Sequence, residues 1–312
     1  MNEVLKVFLF VCALIVVLFL FACLFNYFYG SSFVTNTHEL SDEFNDISLC
    51  IDTADIVFLP SEDGKCKVVC YERENQKHSV SATDGTLTVT LVDTRRWYEY
   101  ISWSFASPKI TVYLPEAEYS LLLIEESTGD IEIPNHFKFE EMNISTDTGD
   151  VECCASASDM IKIRTSTGEI DIDGISAGDL DLSVSTGDVS VSNVMCEGNF
   201  VVKVSTGDVD LTDIICKSLL SSGSTGDICL ENVIAQERFS IERSTGDVKF
   251  KGCDAAEILV ETSTGDVSGT LLSEKIFIAE ASTGKIDVPK TANGGRCQIT
   301  TSTGDIKISI KP

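Results

Sequence analysis

Between Leu121 and Ile310 the apolar positions fall in short alternating runs, and the runs recur every 19 or 20 residues. A Thr-Gly pair marks each recurrence, with glycines at Gly129, Gly149, Gly168, Gly187, Gly207, Gly226, Gly246, Gly265, Gly284 and Gly304. The second residue after the glycine is Val or Ile in all ten cases, from Ile131 to Ile306, and the fourth is mostly apolar, with Gly269 the outlier. The third is mostly charged or Ser, so this segment has the period of two that a half-buried strand requires. Seven residues before each glycine stands another unbroken apolar column: Leu122, Met142, Ile161, Leu180, Phe200, Leu219, Phe239, Ile258, Phe277 and Cys297.

The two columns have opposite parity about the glycine. A straight strand keeps its odd residues on one face, so the chain turns a corner at Ser-Thr-Gly-Asp, where glycine accepts a positive φ or a close approach. A further apolar position seven after the glycine (Ile175, Val194, Ile214, Val233, Cys253, Leu272) flips the parity again and predicts at least one more corner per turn. A constant period near 20 with this patterning predicts an all-β, parallel β-solenoid of about ten coils. Coils stacked about 4.8 Å apart make a rod on the order of 45–50 Å long, and right-handed winding follows from the crossover rule.

Upstream, residues 47–125 read as a β cap made of degenerate coils. Ile47–Pro60 gives a strand, a Thr53-Ala54-Asp55 corner and a second strand, and Thr86–Val92 and Ile110–Leu114 alternate likewise. Residues 30–46 are short and polar and read as a tether. From Val7 to Phe25 the chain is apolar without interruption, close to the roughly 20 residues of a membrane-spanning helix, so residues 1–29 are expected to be a cytoplasmic stub and transmembrane helix. Lys6 lies before this run, and Glu39, Asp42, Glu43 and Asp46 follow it, which places the N-terminus in the cytoplasm and the rest outside. The apolar run exceeds the core of a cleaved signal peptide, and no small-x-small site follows it.

Composition then narrows the partners. With 23 Lys plus Arg against 49 Asp plus Glu the net charge is −26, so nucleic acid is excluded as a default partner. Nine of these acids form one column beside the corner glycines: Asp130, Asp150, Glu169, Asp188, Asp208, Asp227, Asp247, Asp266 and Asp305, interrupted by Lys285. The anchor, the strand ending in Leu114-Pro115 and the iterated Ser-Thr-Gly-Asp-Ile/Val corners resemble the bacterial "putative adhesin" family, a domain of unknown function built of β-strand repeats. The resemblance covers residues 47–312. It implies a β-solenoid at the cell envelope and brings no catalytic or binding residues with it. A more distant likeness is to the β-helical polymer-forming cytoskeletal proteins of bacteria.

Stacked carboxylates about 5 Å apart repel by on the order of 1 kcal/mol per neighbour, so something must offset the acid column. Ca²⁺ between coils is one answer, with Asp188, Asp208, Asp227, Asp247 and Asp266 as its candidate ligands. The favoured answer is that each carboxylate accepts hydrogen bonds from its own corner's N–H groups. The Ser-Thr pairs at the corners are read as a hydroxyl ladder bonded to its own corners rather than as an ice-binding array. Arg95 to Phe105 breaks the repeat and holds Trp97, Tyr98, Tyr100 and Trp103, residues suited either to covering the end of the rod or to contacting a partner. Cys196 and Cys216, each nine after its glycine, occupy one register of adjacent coils within disulfide reach; Cys66 with Cys70, or Cys50 with either, are further pairs to test in the cap. Cys153, Cys229, Cys253 and Cys297 read as small core hydrophobes. His38, His78 and His136 have no nucleophile motif around them, and no cofactor is expected.

These features predict a non-catalytic adhesin-like, structural or interaction module of a bacterial cell envelope. It is held to the lipid bilayer by its N-terminal helix, and its partner is an envelope protein or glycan. A self-assembling β-helical scaffold is the alternative, opposed by Lys307, Lys311 and Pro312, which would blunt the last coil as an edge. A polysaccharide-binding or polysaccharide-cleaving protein fits less well, because aromatic and basic residues are scarce among the acids.

Overall fold

A computed structural model describes residues 32–93 and 107–311. The apolar run Val7–Phe25 and the aromatics Trp97, Tyr98, Tyr100 and Trp103 lie outside the described residues. Among those described, no helix is long and apolar enough to cross a membrane.

Every element among the described residues is a strand. The cap holds β1 (Phe33–Leu40), β2 (Asp46–Thr53), β3 (Asp55–Pro60), β4 (Cys66–Arg73), β5 (Gln76–Thr83), β6 (Thr86–Asp93) and β7 (Lys109–Leu114). The first repeats are β8 (Glu118–Thr128), β9 (Ile131–Ile133), β10 (Lys138–Thr148), β11 (Val151–Cys153), β12 (Ser156–Thr167), β13 (Ile170–Asp173), β14 (Ser176–Thr186), β15 (Val189–Cys196) and β16 (Asn199–Thr206). There follow β17 (Val209–Thr225), β18 (Ile228–Thr245), β19 (Val248–Thr264), β20 (Val267–Leu271), β21 (Lys275–Thr283), β22 (Ile286–Asp287), β23 (Gly295–Thr303) and β24 (Ile306–Ile310). The strand before each Thr-Gly corner pairs in parallel with its counterpart one coil away, and the strand after it does the same. Outside the terminal coil, where Phe277 is half-buried and Ile286 exposed, both predicted apolar columns are buried along the inside of the stack, with Leu122, Met142, Ile161, Leu180, Phe200, Leu219, Phe239 and Ile258 all at 0% exposure.

The second corner falls six residues after the glycine. Gly174, Asn193, Asp213, Asn232 and Gly252 adopt φ between 54° and 69° there, the left-handed region that Gly, Asn and Asp enter at least cost. This single residue reverses which face the chain presents, and it explains the parity flip at Ile175, Val194, Ile214, Val233 and Cys253.

The coils do not stack in chain order at either end. β2 lies between β6 and β8, and β3 between β7 and β9, so the first coil of the chain sits inside the stack and β6/β7 lies outside it. The open edge of β6/β7 is covered by antiparallel strands: β5 pairs with β6, β4 with β7, and β1 with β4. Residues 33–40, expected in the tether, therefore form the outer strand of the cap. Their inward positions include Asn36 and His38, so no apolar alternation announced them.

At the other end β23 inserts between β19 and β21, and β24 between β20 and β22. Lys307 and Lys311 thus do not protect an edge, contrary to expectation. The terminal coil is β21/β22, which among the described strands pairs on one side only, and Ile276, Ile278 and Ile286 are 42–46% exposed there. The swap leaves the spacing of corner glycines unchanged, which is why the spacing could not show it.

Candidate functional site

The corner column is the most regular polar feature of the rod. Asp208 Oδ1 accepts the backbone N–H of Asp227 at 2.7 Å, and Asp227 Oδ1 accepts that of Asp247 at 2.8 Å. The same bond joins Asp130 to Asp150 N–H, Asp150 to Glu169, Asp188 to Asp208, Asp247 to Asp266, Asp266 to Asp305 and Asp305 to Lys285. These eight aspartates therefore satisfy the corner of the neighbouring coil rather than their own, because parallel stacking brings that N–H beneath them; among the described residues no such bond is made by Glu169. This bonding offsets the repulsion between neighbouring carboxylates, as charge-assisted hydrogen bonds do. The Asp247 N–H together with Lys249, whose Nζ lies 2.9 Å from Asp227 Oδ2, holds Asp227 below the usual carboxylate range. At the second corner Ser192 and Asn193 donate to Asp173 and lower it likewise.

The corner hydroxyls that bond between coils stand not in the Ser-Thr pairs but one residue before them. Thr165, Thr262 and Thr301 donate from Oγ1 to the carbonyls of Gly149, Gly246 and Gly265 in the coil behind. In the same register, three before the glycine, stand two buried charges that the repeat pattern does not announce. Arg243 is 4% exposed, and its guanidinium reaches Val204 O and Ser221 Oγ. It occupies the space where a side chain on Gly223 would stand, since a Cβ there would lie 1.7 Å from Arg243 Nη1. The residue pair could be found in the sequence only by reading this column downward: Gly223 is the one glycine in it, and the next residue is the one arginine.

Glu126 is the other. It is 6% exposed, with Oε1 accepting Ala54 N–H and Oε2 unpaired among the described residues. Burial, with Asp55 and Asp130 adding to it against the Ala54 hydrogen bond, pushes this carboxyl up to about 8. A carboxyl whose folded value lies above its ordinary 4.5 stabilises the fold fully below pH 4.5, and that contribution is lost as pH rises toward 8. Glu126→Gln is therefore expected to flatten the pH dependence of stability and to gain about 2 kcal/mol at pH 8 relative to wild type. Urea titrations of both proteins at pH 5 and pH 8 measure this, and parallel losses in the two would contradict it.

The cysteines beyond the N-terminal segment are free thiols. Cys196 and Cys216 do fall on adjacent coils, next to the paired Met195 and Ile215, and both are buried and unlinked. Cys196 donates instead to Gly178 O and Asn199 O. Burial pushes Cys153, Cys216 and Cys297 up to about 12, as for apolar core residues. In the cap Cys66 and Cys70 are buried, Cys50 is exposed, and all three are likewise unlinked. One grouping escaped the sequence reading altogether: Cys70, Glu72 and His78 converge inside the cap. Its only signal was that Cys70 and Glu72 stand two apart on a strand and so share a face.

A stack of parallel coils with a hydrogen-bonded acid seam and an antiparallel cap defines the class: a rod-like β-solenoid repeat protein. The chain belongs to the Toastrack DUF4097 family, whose profile matches residues 44–201 and 197–312, in keeping with the resemblance read from its corners. Among solved structures, a "putative lipid binding protein" of Parabacteroides distasonis is 17% identical, with a TM-score of 0.50, covering 88% of this chain and 97% of its own. A "putative adhesin" of Parabacteroides merdae is 12% identical with a TM-score of 0.49, covering 90% of this chain and 98% of its own. Another "putative adhesin", from Bacteroides fragilis, is 15% identical with a TM-score of 0.41, covering 90% and 99%. At 17% identity the likeness to the first of these is one of fold alone. No curated protein matches the chain.

Proposed function

We propose that this protein is a single-pass membrane protein whose β-solenoid stands outside the cytoplasm as a non-catalytic, adhesin-like structural or interaction module of a bacterial cell envelope. The observation that carries this reading is the combination of one uninterrupted stack of coils with the nineteen-residue apolar run at Val7–Phe25. A rod joined to a bilayer at one end projects its faces away from the surface, and those faces are ordered arrays of outward polar side chains with the corner carboxylates engaged in the stack. The partner is an envelope protein or glycan that meets such a face. The test is protease treatment of intact cells carrying a tag after residue 312. The tag should be lost while the chain remains with washed membranes. A tag protected until lysis, or a chain recovered in the soluble fraction, overturns the placement.

A second reading, self-assembly of rods, is favoured by the exposed β21/β22 edge, whose unpaired backbone groups and Ile276, Ile278 and Ile286 can accept another strand. Under it, sedimentation shows species larger than a monomer that Ile278→Lys dissociates. A wild-type monomer at all concentrations excludes it.

A further inference from the structure

The hairpin of β4 and β5 gathers three side chains of different donor chemistry around one interior point. Cys70 and Glu72 share a face of β4, His78 comes back on β5, and a donor atom of each lies within 4.8 Å of the other two. All three are buried, Glu72 to 1% and His78 to 6% exposure. The glutamate is held firmly: Oε1 accepts Asn36 Nδ2 at 2.5 Å, while Oε2 accepts the His78 backbone N–H at 2.6 Å and faces His78 Nδ1 at 2.7 Å. The histidine is not satisfied by this arrangement. Its Nε2 is buried and meets no hydrogen-bond partner among the described residues. A buried polar atom without a partner carries a penalty that native interiors seldom tolerate.

We propose that Cys70, Glu72 and His78 bind one Zn²⁺-class ion, which pins the cap hairpin. The donor set selects the metal: a thiolate, an imidazole and a carboxylate suit a borderline-soft ion and not the hard, all-oxygen preference of Ca²⁺ or Mg²⁺. Bonds of about 2.0–2.3 Å to a tetrahedral ion place donors roughly 3.3–3.8 Å apart, so the 2.7 Å contact of His78 Nδ1 with Glu72 Oε2 must open and any wider separation within the 4.8 Å limit must close, each by side-chain rotation of about 1 Å. Asn36 then serves as the outer hydrogen-bond partner that orients the carboxylate. A cavity of about 80 Å³ borders His78, together with Asp52, Arg73, Gln76 and Leu91, and has room for a water on that side of the imidazole. Binding exchanges the Cys70 S–H bond for an S–metal bond and releases that proton to solvent. Because β4 and β5 cover the open edge of β6/β7, the ion fastens the lid of the rod.

The test is titration of the detergent-solubilised full chain, under reducing conditions, with Co²⁺ as a spectroscopic stand-in for Zn²⁺. One equivalent should produce a thiolate-to-cobalt charge-transfer band that Zn²⁺ then abolishes. Cys70→Ser should remove the band, Cys66→Ser, on the same face of β4, should keep it, and His78→Gln should weaken binding at least tenfold. Absence of the band in the wild type overturns the proposal whatever the variants do, and so does a band of equal strength in Cys70→Ser.

Discussion

Gly207→Ala is expected to cost about 4 kcal/mol or more and to split the unfolding of the rod into two transitions. Gly207 has φ of +140°, a region open to glycine alone, and a Cβ built on it would lie 2.0 Å from the carbonyl oxygen of Gly187 in the adjacent coil. That oxygen is backbone, so relief requires the two coils to separate at the corner. There the Gly187 N–H···O=C Thr206 bond and the Asp188–Asp208 bond are both made. In a stack where each coil contacts only its neighbours, weakening one junction uncouples the halves instead of lowering stability evenly. Urea unfolding followed by circular dichroism should show a lower first midpoint with a reduced slope. The second corner supplies the contrast. Gly174 also has a positive φ, +69°, but nothing lies within 4 Å of its Cβ position, and asparagine or aspartate stands in that register at Asn193, Asp213 and Asn232. Gly174→Asn should stay within about 0.5 kcal/mol of wild type. Equal losses at both sites would mean that conformation and not close approach governs the Thr-Gly corner.

Phe239→Ala carries the next largest expected effect, about 3–5 kcal/mol. Phe239 is fully buried, and its ring stacks on that of Phe250 at 6.3 Å between centroids and 15° between planes, joining the strands on either side of the corner. Ile241 and Ile258 are buried beside it in a ladder of hydrogen-bonded coils that cannot collapse into the space. Leu220, 39% exposed, serves as the surface comparison, and Leu220→Ala should cost no more than about 1 kcal/mol. The comparison of the two midpoints in urea checks this, and a Phe239→Ala loss below about 1 kcal/mol would contradict it.

The repeat made the corners and the buried columns legible, because the burial of Ile228, Val248 and Phe239 follows directly from a strand period interrupted at a fixed place. The second corner was visible as a parity flip at Val194 and Ile214, and its residue types at Asn193 and Asp213 are those that tolerate a left-handed backbone. Coil order was not visible, since Gly265, Gly284 and Gly304 have the same spacing whether or not the last coil inserts behind the one before it. The cap strand Phe33–Leu40 was hidden for another reason: its place is set by pairing with β4, and its inward Asn36 is polar because Glu72 lies opposite the interior with it. The convergence of Cys70, Glu72 and His78 depends on a hairpin that the solenoid period says nothing about. Glu126 and Arg243 are single departures within one column, and only the packing around Ala54 and Gly223 gives them meaning.

The interleaving of the last two coils also determines how the rod bears load. In a solenoid whose chain order matches its stacking order, a pull at the final strand peels the outermost coil, breaking its hydrogen bonds one after another at low force. Here β24 runs between β20 and β22 and β23 between β19 and β21, so drawing residue 311 away requires breaking hydrogen bonds on both sides of each strand. The outermost coil, β21/β22, is bypassed by that pull and acts as a clamp. A molecule held at one end and gripped at the other would thus resist extension in the manner of a spliced rope.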